Sequence, residues 1–523
     1  MEKNKTLTMA YHDATKHSFL SVRNGDHSLD WRIKPSEYKI YKGFTKTDLG
    51  KEMVFPDLAA LEAVKRGGYG GTRGGMSIPI LAGILHLSYG HTAKKVYPGT
   101  TYYLRSSPSA GALFPVEVYL HINGIDGIAD GLHHYTPCDS SIYLLRTGDF
   151  REIISGTAGG DRAILGADLT IILSTIFWRS SWKYKERAYR YCLLDTGHVA
   201  GNILAAGSSF DMGPSVIESF VDSDINHLLG IDGEREAAQL IITFETRKSY
   251  VPSLDKAGIY DLPKIKDPLE YQVETALSLI NKLHSASSYK DRGEFMKFAG
   301  KETLSDDDEE EDKIGDISRL AIPDKVSMPN AKIGDIILRR RSSRDFQKTN
   351  IPFAALSLIL HYSFQGYRSD ITEGGSILLD TYIVINGVDG MRPGLYCFNR
   401  DEGCIAKIRI RGAKDRDLRD EVTYLCLEQR LCGNASAVFF FTADLKNMIS
   451  RYGERIYRSI HLEAGILGEN IYLAAKAIGI GATGIGAFYD DDAADFLTIS
   501  RTGGKVIYVM AIGIQNEEQL RSL

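Results

Sequence analysis

The chain has 523 residues, 43% hydrophobic and 25% charged, which is enough apolar material for several ordinary domains or two large ones. A formal net charge of −5 and a pI near 6.3 exclude the strongly basic face that nucleic-acid binding requires. Cys138, Cys192, Cys397, Cys404, Cys426 and Cys432 form no CxxC pair. With a polar start and no apolar run long enough for a bilayer, the expectation is a cytoplasmic protein that binds no nucleic acid, no membrane and no metal.

Residues 1–56 form a lead-in segment that mixes aromatics with charge, and WRIKPSEYKIYKGF from Trp31 reads as extended and turn-rich. A first domain spans 57–250. It opens on glycine-rich KRGGYGGTRGG, then places PSAGALFP (Pro108–Pro115) directly before the strand VEVYLHI and the turn INGIDG. His133 and His134 fall in strand-like GLHHYTP, where neighbours point to opposite faces and cannot share a metal. WKYKERAYR from Trp182 leads into a long amphipathic helix, and LIITFE closes the unit.

Residues 251–332 read as a linker. PLEYQVETALSLINKLH is helix-like, and SDDDEEED at Ser305–Asp312 is a block of like charges that stays hydrated, a solvated tether. A second domain, 333–523, starts with IGDIILRRRSSRDF and repeats the earlier order: INGVDG, a long helix in GERIYRSIHLEAGILGEN, then GIGATGIGAF and the closing strand VIYVMAIG. Both domains therefore read as α+β.

The two units are copies. Ala188, Cys192, Val199, Ile203 and Ala206 have Ile456, Ile460, Leu467, Ile471 and Ala474 as counterparts 268 residues on, so one apolar helical face is kept and the twin helices are expected to pack together. Asp195 and Glu463 share a position on that face. Arg187 or Arg190, and Arg455 or Arg458 in the second copy, are the cations near enough in sequence to pair with them, as a structural ion pair or in a catalytic role. The copies have also diverged in complementary fashion. SSPSAGALFP becomes SDITEGGSIL, and the glycine-rich run of copy one stands where copy two has Arg340, Arg341, Ser342 and Arg344. One composite ligand pocket needs only one intact version of each part.

Guanidinium groups and a serine hydroxyl suit an anionic ligand, although cations also complement a helix C-terminus. Small residues and prolines in PSAGALFP, and the glycines of GIGATGIGAF, let backbone amides approach a flat ring.

PSAGALFP, WKYKERAYR and IGAFYDD together resemble the nitroreductase-like flavoproteins, and more closely the SagB-type dehydrogenases, across both copies. The resemblance implies two fused nitroreductase-like domains forming an intrachain pseudo-dimer, with FMN at the seam. It implies cofactor contacts from Arg340, Arg341, Ser342, Arg344, Gly484, Ile485 and Gly486 of one copy and Pro108, Ser109, Ala110, Gly111 and Leu113 of the other. It also implies catalytic roles for Lys183 and Tyr184, a pair linked in azoline-oxidising relatives to removal of the substrate proton. The alternative for Lys183 is a solvated helix-start lysine. A small-molecule or modified-peptide substrate follows from the same resemblance. NAD(P)H-dependent reduction of nitro compounds or quinones is the rival, and a non-catalytic flavin-binding or peptide-binding protein a further one. Copy two departs from the family pattern in AIGIQNEE, which lacks the cation after the last strand and puts the strength of the phosphate grip in doubt; Arg105, just before PSAG, is a candidate to contribute. The reciprocal site, built from KRGGYGGTRGG and SDITEGGSI, is expected to be empty.

Overall fold

The computed structural model describes residues 6–25, 28–50, 52–69, 75–97, 100–245, 262–269, 277–298, 316–323, 328–371, 377–408 and 417–516. The acidic tract and the end of the chain lie outside them, as do Arg247 and Lys248. In the first half the strands are β1 (Thr45–Asp48), β2 (His91–Tyr97), β3 (Thr100–Arg105), β4 (Val116–Ile122), β5 (Gly131–Thr136), β6 (Ser141–Thr147), β7 (Ala167–Ile176), β8 (Gly213–Ile217) and β9 (Glu236–Glu245). The second half contributes β10 (Ile317–Arg319), β11 (Asp380–Ile385), β12 (Gly394–Asn399), β13 (Cys404–Ile408), β14 (Ala437–Ala443), β15 (Gly481–Ile485) and β16 (Lys505–Gly513).

These strands build two seven-stranded sheets of the same topology, β1-β6-β5-β4-β7-β9-β8 and β10-β13-β12-β11-β14-β16-β15. β-Branched runs such as ADLTIILSTI supply central strands, and all ten residues of β7 are buried. The hairpin β2–β3 stands apart as a two-stranded ribbon in the first half.

The helices that matter for the site are α1 (Leu7–Ala14), α2 (Ala60–Arg66), α3 (Phe177–Tyr184), α4 (Ala188–Ser209), α5 (Ser278–Ala286), α6 (Ile333–Arg339) and α7 (Ile456–Ala477). The twin long helices α4 and α7 cross at the centre, as their shared apolar face predicts. Each is buried over almost its whole length, and a Cβ built on Gly197 would lie only 2.8 Å from the Gly465 Cα. No larger side chain fits at that crossing.

Arg187 and Arg190 do not pair with Asp195. They reach across the seam to Asp490, at 2.9 and 2.8 Å; Arg190 stands five residues before Asp195, which puts it on a different face of α4, and Arg187 precedes the helix. Arg458 and Arg455 mirror this by binding Asp222, Arg458 at 2.7 Å. Burial alone would push these carboxyls up, but the paired guanidinium groups hold both Asp490 and Asp222 below the usual carboxylate range.

The pseudo-symmetry also takes in segments that read as lead-in and linker. Glu454 accepts the Leu7 and Thr8 amides at the start of α1, and Glu186, its twin, accepts those of Leu279 and Ile280 in α5. The His17 amide binds Asp490 at 2.9 Å, and the Tyr289 amide binds Asp222 at 2.8 Å. The rest of the lead-in is anchored by fully buried Lys39, which meets Glu236 and the Tyr119 hydroxyl.

Candidate active site

A cavity of about 530 Å³ opens at the seam, and both halves line it. From the second half come Arg340, Arg341, Ser342 and Arg344, just after α6, and Gly484, Ile485 and Gly486 at the end of β15. From the first come Pro108, Ser109, Ala110 and Gly111 in the loop before β4, Lys183 and Tyr184 at the end of α3, and Arg105. Leu113 is buried beside that loop and does not line the cavity.

The loop is held in an uncommon shape. Gly111, Ala112 and Phe114 all have positive φ, at 63°, 54° and 48°. The two non-glycine values cost energy that surrounding contacts must offset. Ser109 supplies one such contact by accepting the Phe114 amide at 2.9 Å while donating to Asp195 at 2.6 Å. Asp195 also accepts the Ala110 amide at 3.2 Å. Burial dominates these bonds and raises its carboxyl to about 7.

Gly111 is needed for space as well as for its φ. A Cβ there would lie 2.6 Å from the Tyr184 hydroxyl and 3.1 Å from Lys183 Nζ, so both groups converge on the bare backbone of the loop. Burial raises the Tyr184 hydroxyl, which stays protonated at neutral pH.

At the cationic end, Arg340 is buried and donates through Nε to the Ser106 carbonyl at 3.0 Å, leaving Nη1 without a hydrogen bond. Arg341 reaches the Thr92 carbonyl and fastens the β2–β3 hairpin; burial, then Arg340, lowers it to about 10. Exposed Arg344 lies at the mouth. The Ser342 hydroxyl is 2.8 Å from that of Tyr472, which also accepts the Gly484 amide at 2.7 Å.

The donor set fits FMN. A buried guanidinium nitrogen of Arg340 carries no hydrogen bond, and only bare backbone fits at 484 and 486, where a Cβ would strike Tyr508 and Tyr191. Tyr472, Tyr191, His198, Tyr508 and Asp195 were not singled out for this cavity by sequence. A signal existed in the comparison of copies, since His198, Tyr472 and Tyr508 face Ile466, Leu204 and Leu240 as counterparts.

At the reciprocal position Gly67 and Gly68 replace Arg340 and Arg341, and Glu218 replaces Gly486. There the backbone of Arg368–Asp370 runs along β8, with the Val216 amide bound to the Arg368 carbonyl and the Asp370 amide to that of Val216. Residues 372–376 of that locus lie outside the described residues.

Among the described residues, no group of three or more His, Cys, Asp or Glu is arranged to hold a metal, and no helix is long and apolar enough to cross a membrane.

A family model described as "Nitroreductase family" matches residues 92–244 and 337–514. A crystal structure described as a "putative nitroreductase" from Anabaena variabilis is 27% identical, covers 98% of this chain and 100% of its own, and superposes with a TM-score of 0.77. The curated "Putative nitroreductase" of Methanocaldococcus jannaschii is 27% identical over 36% of this chain and 92% of its own length. The microcin B17-processing protein McbC of Escherichia coli is 28% identical over 27% of this chain, a match that spans about half (53%) of McbC.

Proposed function

We propose, from the premise that the chain belongs to the nitroreductase family and is an FMN-dependent oxidoreductase, that its cavity dehydrogenates a heterocycle on a modified peptide, azoline to azole. The observation that carries this reading is the convergence of Lys183 Nζ and the Tyr184 hydroxyl on Gly111, inside a cavity whose far end is cationic. The likeness to a microcin-processing protein supports it.

FMN, when bound, supplies a two-electron hydride acceptor. Arg340, Arg341, Ser342 and Arg344 would hold its anionic part, with Pro108–Gly111 and Gly484–Gly486 against its ring. The substrate ring loses one hydride and one proton. Tyr184, kept protonated by burial, donates a hydrogen bond that orients the ring, and Lys183 Nζ, in its unprotonated amine form, takes the proton and becomes the ammonium. The β2–β3 hairpin contributes Lys95 and Leu104 to the cavity wall.

Incubation of the flavin-loaded protein with a thiazoline-bearing peptide under air tests this by mass spectrometry, where two hydrogens should be lost. Lys183→Ala should keep its flavin and slow turnover by ~100-fold or more; undiminished activity in that variant removes Lys183 from the mechanism. A second reading, NAD(P)H-dependent reduction of nitro compounds or quinones, is favoured by Lys95, Lys183 and Arg344, three cations lining the cavity that suit a phosphate-bearing donor. Prompt anaerobic bleaching by NADPH, with no change in the peptide, would select it.

A further inference from the structure

A buried polar chain lies against the cavity and has no role in the reaction above. His198, on α4 of the first half, is 2% exposed. Its Nδ1 is 3.0 Å from Glu469 on α7, and its Nε2 is 3.0 Å from the Tyr508 hydroxyl on β16. Both His198 and Tyr508 line the cavity. Glu469 is fully buried, and its other oxygen has only Arg340 Nε, at 3.7 Å. Further polar neighbours among the described residues are Tyr472, whose ring centroid is 5.8 Å from that of His198, and Asp195, one turn earlier on α4.

The protons of this chain can be assigned. Burial raises the Tyr508 hydroxyl, and Tyr472, Asp195 and Glu469 raise it further, so Tyr508 donates to Nε2. Nδ1–H then donates to Glu469. Arg340 stands 3.7 Å from Glu469, and the imidazole links that buried carboxyl group to the hydroxyl of a cavity-lining tyrosine.

We propose that His198 is a redox-linked proton site, binding one proton at Nε2 when two electrons enter the cavity. Added negative charge a few ångströms from a buried imidazole is worth more than one pH unit. The proton comes from solvent through the cavity, the electrons come with the hydride or an added reductant, and Tyr508 turns its O–H toward the cavity as Nε2–H replaces it. The twin positions hold Ile466, Gly201, Leu240 and Gly67, so the chain Arg340–Glu469–His198–Tyr508 belongs to one seam position alone.

The inference rests on the FMN reading, and its test is the potential of bound FMN measured against pH with redox dyes. Wild-type protein should take up one more proton per two electrons than His198→Gln over part of the range. Glu469→Gln, which keeps the imidazole but removes its counter-charge, should move the break in slope to lower pH. Bound flavin with the same slope in His198→Gln overturns the proton site and leaves the cofactor intact. If His198→Gln does not retain flavin, an unmoved break in Glu469→Gln overturns it instead. A wild-type protein that takes up no flavin overturns the cofactor reading and this one together.

Discussion

Asp195 carries the largest legible consequence of a single side chain. It was readable as an acidic position on an apolar helix face, but its partner was not, because the neighbouring arginines point across the seam while Ser109, 86 residues away, folds back onto it. Burial raises its carboxyl to about 7. A carboxyl raised on folding contributes stability that is fully present below its unfolded pKa near 4 and is lost as pH rises through about 7. Asp195→Asn keeps the shape and removes the titration. Denaturant midpoints of variant and wild type should therefore diverge between about pH 4 and pH 7, the variant gaining by up to ~4 kcal/mol. A constant gap would mean that Asp195 is already ionised without penalty. The loop residues themselves were legible, since Pro-Ser-Ala-Gly before a strand specifies a tight approach. Its cost at Ala112 and Phe114 was not, because sequence does not reveal a positive φ at an ordinary residue.

At the scale of elements, helix α4 and its twin were recoverable from periodicity, and so was their mutual packing. The kinship of α1 and α5 was hidden. Only the caps from Glu454 and Glu186, and the backbone bonds to Asp490 and Asp222, expose it, and these link residues hundreds of positions apart. Each aspartate serves three donors at once: two guanidinium groups from the partner half's long helix and its approach, and one amide from the docked segment. Asp490→Ala would leave Arg187 and Arg190 buried without a counter-charge, and breaking such a group costs about 3–5 kcal/mol. Chemical denaturation should register that loss, and limited proteolysis should find the segment around α1 opened first. Because the carboxyl of Asp490 is held low, its contribution is present above the ordinary carboxylate range and disappears as pH falls through its depressed value. A variant as stable as wild type would show that water reaches both guanidinium groups.

For the whole molecule, the fused pair raises the question of how many cofactors one chain holds. A symmetric dimer of identical units has two equivalent seams, whereas here the parts are distributed unequally. One seam position has Arg340, Arg341, Tyr472 and Gly486; the other has Gly67, Gly68, Leu204 and Glu218. Glu218 is buried, and burial together with Asp370 raises its carboxyl to about 7 although Arg455 opposes the rise, so above neutral pH an anionic cofactor there would meet like charge where the other position has the bare backbone of Gly486. Fusion permits this loss, because a single chain always delivers one good clamp and one good loop to the same cavity. Protein reconstituted with excess FMN and desalted should hold one FMN per chain by absorbance. Arg340→Ala should weaken binding by roughly tenfold or more, the worth of one charge-assisted contact, while Glu218→Gly should leave the ratio at one, because removing a carboxylate does not install the missing guanidinium groups. A ratio of two in the wild type would mean that backbone amides alone can hold the cofactor at the glycine-rich position, and the arginine clamp would then be a determinant of affinity and not of occupancy.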